Sequence, residues 1–208
     1  MITRPVGPLQ TNFYLVFDSD SGAGIVIDPG AEPGLILDTA VQAGAQVKAI
    51  MITHGHHDHI AATAEVARQT GAPVYGSAEA GMVMADPERF RLFPGMPKVP
   101  PFTQIIELKG GEEFTFGPLS VKAIATPGHS LGSITYFTCG SLFCGDLLFH
   151  GSVGRTDLPG GSFEQLAASV KRLVLEFPPD TPVYPGHGNA TNLRQEKESN
   201  PFLTDLGW

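Results

Sequence analysis

Four of the seven histidines in this 208-residue chain fall within six positions, in His54-Gly55-His56-His57-Asp58-His59. At this composition the pattern HxHxDH arises by chance about 4 times in 10,000 chains of this length, and clustered imidazoles and carboxylates read as metal sites. On an extended backbone, side chains at i, i+2 and i+4 share a direction, so His54, His56 and Asp58 should converge while His57 points elsewhere. His59 then turns back toward them from the start of a helix. Three further polar residues stand where apolar strands stop: His129 in Thr126-Pro127-Gly128-His129-Ser130, Asp146 in Cys144-Gly145-Asp146, and His187 in Pro185-Gly186-His187-Gly188. Each has glycine beside it, which lets the backbone aim a ligand, and strand-end loops are where folds place function.

The elements that must position these residues are legible in part. Residues 12–17 and 24–28 read as strands joined by the hairpin chemistry of Asp18-Ser19-Asp20-Ser21-Gly22. Leu35, Ile36, Ala40 and Val41 mark a helix ended by Gly44, residues 49–53 a buried strand, and 60–69 a short helix. Residues 85–101 carry five prolines and Gly95 and read as a flexible flap. There Phe90, Phe93, Met96 and Phe102 either line a pocket or form a mini-core under the loop. Strand signals at 104–108, 113–116, 119–125, 133–138 and 141–144 suit one antiparallel meander. Ser162 and Gln165 form a capping-box pattern, and Phe163, Leu166, Val170, Leu173, Val174 and Phe177 trace one helical face before a last strand at 181–184. The alternation implies an α/β fold of two sheets packed face to face with helices outside. One domain over 1–208 is expected, with no separate helical domain at the C-terminus.

Composition narrows the function. With 42% hydrophobic and 16% charged residues the chain is globular, and a net charge of −8 with no run of Lys or Arg argues against nucleic acid as a partner. The longest uncharged stretch, 123–145, is broken by Pro127 and by Gly128, Gly132 and Gly140, so it does not read as a membrane span. The first residues lack an apolar run of signal-peptide type, which points to the cytoplasm. In that reducing setting Cys139 and Cys144 are read as packed core thiols rather than a disulfide.

HxHxDH with a distant His, an Asp and a last His resembles the metallo-β-lactamase-fold hydrolase superfamily, over nearly the whole chain. The resemblance implies a four-layer αβ/βα sandwich with two metals between two mixed sheets. His54, His56 and His129 would hold the first, and Asp58, His59 and His187 the second, with Asp146 bridging. His59, and Asp rather than Cys at 146, are similar to the glyoxalase II branch and point away from β-lactam hydrolysis. The runs Gly151-Ser152-Val153-Gly154-Arg155-Thr156-Asp157-Leu158-Pro159-Gly160-Gly161 and Glu196-Lys197-Glu198-Ser199-Asn200-Pro201-Phe202 resemble the compact bacterial members of that branch. By that resemblance Arg155, Arg194 and Lys197 would bind the carboxylates of a thiol carrier, although Arg155 could instead pair with Asp157. Asp28 matches a position that orients metal ligands, and Asp-Pro-Gly is equally a turn. His57 is read as an outer hydrogen-bonding or solvated residue and His150 as a pocket-edge or structural one.

The chemistry implied is hydrolysis. Two divalent cations ~3.5–4 Å apart can share a hydroxide whose parent water has its pKa lowered to about 7. Asp58 and Asp146 are then the carboxylates at the reacting centre, and two M²⁺ with both carboxylates and hydroxide leave about +1, a floor that attracts an anion. A small anionic thioester suits this site because a thiolate leaves without strong protonation. Zinc is the expected metal, with iron or manganese also compatible with N/O ligands. The rival reading starts from Gly154-Arg155-Thr156-Asp157, which also resembles persulfide dioxygenases of the same scaffold and implies one iron on His54, His129 and Asp146.

Overall fold

The computed structural model describes residues 1–91, 96 and 98–204. A first six-stranded sheet runs in sequence order through β1 (Ile2–Val6), β2 (Thr11–Phe17), β3 (Ala23–Ile27), β4 (Gln46–Met51), β5 (Val74–Ser77) and β6 (Ile105–Leu108). β1 to β3 are antiparallel and β3 to β6 parallel. Parallel neighbours need long crossovers, and α1 (Pro33–Gln42), the short α2 (His57–Ile60) with α3 (Thr63–Thr70), and α4 (Ala78–Ala85) lie in them. The second sheet takes β7 (Glu113–Phe116), β8 (Leu119–Ala125), β9 (Ile134–Thr138) and β10 (Ser141–Gly145) as an antiparallel meander. A small hairpin of β11 (Leu148–Phe149) and β12 (Ser152–Val153) follows, then α5 (Phe163–Glu176) and β13 (Pro182–Pro185), which pairs parallel with β10. β14 (Thr191–Asn192) and α6 (Leu193–Ser199) complete that side.

Strand alternation builds the layers. On β2, Phe13 and Leu15 face a core shared with Ile36, Val66 and Ala80 of the helices, while Tyr14 and Val16 face a second core with Val121, Tyr136 and Phe143 of the other sheet. A third core joins Leu142 and Val183 to Leu166, Val170 and Leu173 of α5. Three cores separate four layers, so the molecule is the αβ/βα sandwich expected, and β2, buried on both faces, shows the near-continuous apolar run that such a position demands. The cap of α5 is as read, with Ser162 Oγ accepting from the Gln165 amide at 3.3 Å.

Several local expectations are corrected. Residues 105–108 are not the first strand of the meander but the edge of the first sheet, parallel to β5. Gly110 (φ 90°) and Gly111 (φ 108°) redirect the chain from one sheet to the other there, a conformation open to residues without a Cβ. The helix expected at 60–69 is split, with a single turn, α2, beginning at His57. Cys144 is buried, its thiol pushed up to about 12 by burial, but Cys139 is exposed at a turn with φ 48°. Within the proposed flap, Pro87–Phe90 form a 3₁₀ turn, and Phe93, Pro94, Gly95 and Pro97 lie outside the described residues. β1 carries Pro5 and went unread; as an edge strand it tolerates a missing N–H.

Candidate metal centre

The histidines and aspartates of the candidate ligand set sit at one end of the sandwich, where strands stop. β4 ends into Thr53 and His54, β8 leads to His129, β10 to Asp146 and β13 to His187. β2 is antiparallel to β3, so its first residues, Thr11 and Asn12, reach the same end as Asp28. The Asp58 geometry differs from the extended-loop expectation. His56 is extended (ψ 142°), but Asp58 and His59 lie on the α2 turn, which swings them away from His56 toward His187.

Besides Asp28, His54 and His59, which cluster behind the rings, two groups of donors result. In the first, His56 Nδ1 lies 3.0 Å from His54 Nε2 and 2.9 Å from His129 Nε2. In the second, His187 Nε2 lies 3.2 Å and His59 Nε2 3.5 Å from Asp58 Oδ2. Asp146 stands between them, Oδ1 at 3.4 Å from His59 and Oδ2 at 3.7 Å from His129 and 3.5 Å from His187. Gly186 makes this crowding possible, since a Cβ there would sit 2.2 Å from Asp146 Oδ1 and 2.6 Å from the His59 ring.

Hydrogen bonds behind the rings assign their tautomers. His129 Nδ1 donates to the Arg155 carbonyl (2.8 Å) and His187 Nδ1 to the Leu9 carbonyl (3.1 Å). His59 Nδ1 donates to Asp28 Oδ2 (2.8 Å). Thr53 Oγ1 gives its proton to Asp28 (2.6 Å) and so accepts from His54 Nδ1 (3.0 Å). Four Nε2 atoms are thereby aimed inward, the arrangement by which carboxylate and carbonyl partners orient imidazole ligands. His54 and His129 both present lone pairs to a single His56 nitrogen, which can donate to only one of them. His59 Nε2 and Asp146 Oδ1 are buried without an aligned hydrogen bond. Converging acceptors and orphaned buried polar atoms are what a cation would satisfy, so the residues fit divalent metal.

The electrostatics of the groups differ. Burial, with neighbouring histidines adding to it, holds His54 well below the usual imidazole range and brings His56 down to about 4. Burial opposes the charge on His59 too, but Asp146, Asp58 and Asp28 outweigh it and raise its pKa; His187 is raised against burial by Asp58 and Asp146. Reciprocally, Asp58 and Asp146 are lowered despite burial, both by His59, with the Thr11 hydroxyl also donating to Asp58 (2.8 Å).

The centre opens into a groove of about 400 Å³ lined by Leu9, Phe149, Val153, Arg155 and Leu158 with His56, Asp58, His129, Asp146 and His187. Arg155 reaches its wall, but its guanidinium is held by Asp157 (2.7 and 2.8 Å), the pairing left open above. Arg194 pairs with Asp180 (2.9 Å), which precedes β13 at the end opposite His187. Lys197 lies on α6, and neither it nor Arg194 lines the groove. The Glu196-to-Asn200 run is a clamp: Glu196, fully buried, accepts from the Gly151 amide, Thr191 and Asn200, and Asn200 also donates to the Ser152 carbonyl, fixing the β11–β12 hairpin. His57 is buried, and exposed His150 meets Gln195 beside that hairpin.

Sequence reasoning passed over Thr11, Asn12, Tyr14 and Thr53. Asn12 Nδ2 and Tyr14 Oη donate to the Pro185 carbonyl, and Asn12 also to that of Gly188, bracketing His187. The available signal was position: polar residues opening or closing an apolar strand at the end where the ligands gather.

Among known proteins, the sequence matches the metallo-beta-lactamase superfamily over residues 6–187. It is 33% identical to a hydroxyacylglutathione hydrolase, GloC, of Haemophilus influenzae, over 96% of this chain and 95% of that protein. Among solved structures, the B3 metallo-beta-lactamase BLEG-1 has a TM-score of 0.90 at 35% identity, covering 98% and 99% of the two chains. TTHA1623, solved in a di-iron-bound form, has a TM-score of 0.82 at 37% identity (98% and 100%), and ETHE1 from Myxococcus xanthus 0.77 at 30% (97% and 84%). One of these likenesses is thus to a protein named as a B3 metallo-beta-lactamase, a class that the sequence reading pointed away from. Among the described residues no helix is long and apolar enough to cross a membrane. With its fold, its paired donor groups and its matched sequence in agreement, the chain belongs to the metallo-beta-lactamase superfamily of metallo-hydrolases.

Proposed function

We propose that the protein is a cytoplasmic, binuclear metal-dependent hydrolase that cleaves a small anionic thioester of a low-molecular-weight thiol, as its glyoxalase II-like relatives' names suggest. His54, His56 and His129 would hold one ion and Asp58, His59 and His187 the other, with Asp146, which lies between the two groups, available to both. When bound, paired divalent cations, zinc first among them, supply a nucleophilic water at neutral pH and polarise a carbonyl. The chain's own part is to orient: Asp28, Thr53 and the Arg155 and Leu9 carbonyls fix the ring tautomers, and Thr11 fixes Asp58. In the overall reaction a water oxygen bonds to the acyl carbon, the C–S bond breaks, and a water proton ends on the thiol.

The observation that carries this reading is the care with which the second group is built. A single iron on His54, His129 and Asp146 would leave Asp58, His59 and His187, with their supports from Thr11, Asp28 and Leu9, without a task. The likeness to ETHE1 favours that mononuclear dioxygenase as the second reading. Metal analysis of purified protein, with thioester, β-lactam and persulfide oxygen-uptake assays, separates them. Two ions per chain with thioester cleavage is expected. One iron with oxygen consumption and no thioester cleavage overturns the proposal, and β-lactam turnover above thioester turnover overturns its substrate class.

A further inference from the structure

Beside the metal groove lies a second cavity, of about 200 Å³, and the two share His56, Met96 and Leu158 as common walls. It is smaller than the ~300–1,000 Å³ of sites that enclose a whole drug-sized ligand, so it suits one arm of a substrate that reacts next door. Its apolar wall is Val83, Phe90 and Met96, and its cations are Arg89 and Arg91. Arg91 is committed to Glu88 (3.2 Å) and the Met96 carbonyl (3.1 Å). Arg89 is exposed, its guanidinium 5.6 Å from the Phe90 ring centroid, with no carboxylate in ion-pair range among the described residues. Glu79, the acid in the wall, points an oxygen to Ser130 and to the Gly132 amide.

This contrasts with the cations that the sequence suggested for substrate. Arg155 and Arg194 are each tied to an aspartate. An arginine without an acidic partner, at the mouth of an apolar cavity that adjoins the reacting centre, has the chemistry to receive a carboxylate at the end of a short hydrocarbon segment.

Resting on the hydrolase reading above, we infer that this side cavity is the acyl subsite and that the substrate class is a thioester of a short dicarboxylic acid. The acyl methylenes lie on Val83 and Phe90, the distal carboxylate meets Arg89, and the bulkier thiol occupies the larger groove beside Arg155.

The test compares acetyl and glutaryl thioesters of one thiol on the metal-loaded enzyme, wild type and Arg89→Gln, alongside calorimetric binding of glutarate to metal-free protein. Wild type should prefer the glutaryl thioester, and the variant should lose that preference roughly tenfold, through KM, in line with a charge-assisted hydrogen bond. Glutarate binding to metal-free protein should weaken by a similar factor, and Arg89→Lys should restore part of both. An unchanged preference, or equal losses on the two thioesters, overturns the subsite. If no thioester is cleaved the hydrolase reading falls, and the glutarate titration still decides whether Arg89 receives a carboxylate.

Discussion

The two donor groups share an architecture but carry opposite electrostatic burdens. The His54–His56–His129 group is all imidazole, and burial makes His56 and His54 shed their protons, so its lone pairs stand ready for a cation. The Asp58–His59–His187 group mixes a carboxylate with imidazoles whose pKa values are raised, His59 the more strongly, and His59 lies against Asp28, Asp58 and Asp146. A buried proton there neutralises carboxylates that a divalent ion would otherwise neutralise. The first group is therefore preorganised in its bare form, while the second exchanges one cation, H⁺, for another.

The largest effect should come from the residue common to both. Asp146→Ala removes the carboxylate that faces His59, His129 and His187. Turnover should fall more than about 100-fold, beyond what loss of an outer-shell partner costs, while circular dichroism stays that of the wild type. Bound metal should drop from two ions to one. Retention of two ions with full activity would show that the groups work independently.

The pH dependence of metal uptake sharpens the contrast. His59, raised well above the usual imidazole range, holds a proton at neutral pH that must leave as metal binds, and His187 is raised in the same direction. Affinity of the second ion should rise about tenfold per pH unit for each proton displaced. His56, brought down to about 4, and His54 have no proton to lose near pH 7, so the first ion's affinity should vary far less between pH 6 and 8. Metal titrations in buffers of different ionisation enthalpy read the proton count directly, and equal release at both steps would contradict the division drawn here.

Asp28→Asn probes the support behind the second group. It replaces a carboxylate that accepts from His59 Nδ1, the Thr53 amide and the Thr53 hydroxyl. The second ion should bind 10- to 100-fold more weakly, and the first should weaken less, because Asp28 reaches His54 only through Thr53. Equilibrium dialysis against a chelator measures both steps. Equal losses would mean that Asp28 holds the whole loop rather than one ring.

How much of this was legible follows from what each level of sequence encodes. The seven residues that the structure gathers could be singled out because their types are rare and their positions, at the ends of apolar runs, are local. The sandwich could be read from alternating strands and from the face of α5. What escaped depended on pairing. Nothing local distinguishes residues 105–108 as a parallel edge of one sheet from an antiparallel member of the other, since both positions accept the same short apolar run. Asp58 was placed on an extended backbone because its own helical turn is four residues long, too short for a period to show. Thr11 and Thr53 acquire their roles only when antiparallel β2 and parallel β4 bring their ends beside Asp58 and Asp28.

Arg194 shows the same dependence on pairing and should give the smallest effect. Its spacing ahead of Asn200-Pro201-Phe202 matched a substrate-binding position, but which end of β13 it faces is set by the fold. Its guanidinium meets Asp180 at 2.9 and 3.2 Å, and its amide donates to the Pro179 carbonyl at 2.7 Å, both before β13 rather than after it where His187 lies. Arg194→Ala should therefore leave KM for every thioester within twofold of wild type, and, as the loss of an exposed ion pair, should barely move Tm. Arg89→Gln, in the side cavity that shares His56, Met96 and Leu158 with the metal groove, should separate substrates that Arg194→Ala does not. A rise in KM with Arg194→Ala alone would require the thiol carrier to reach across the β11–β12 hairpin to α6, and would return the substrate's anionic end to the region that the sequence first suggested.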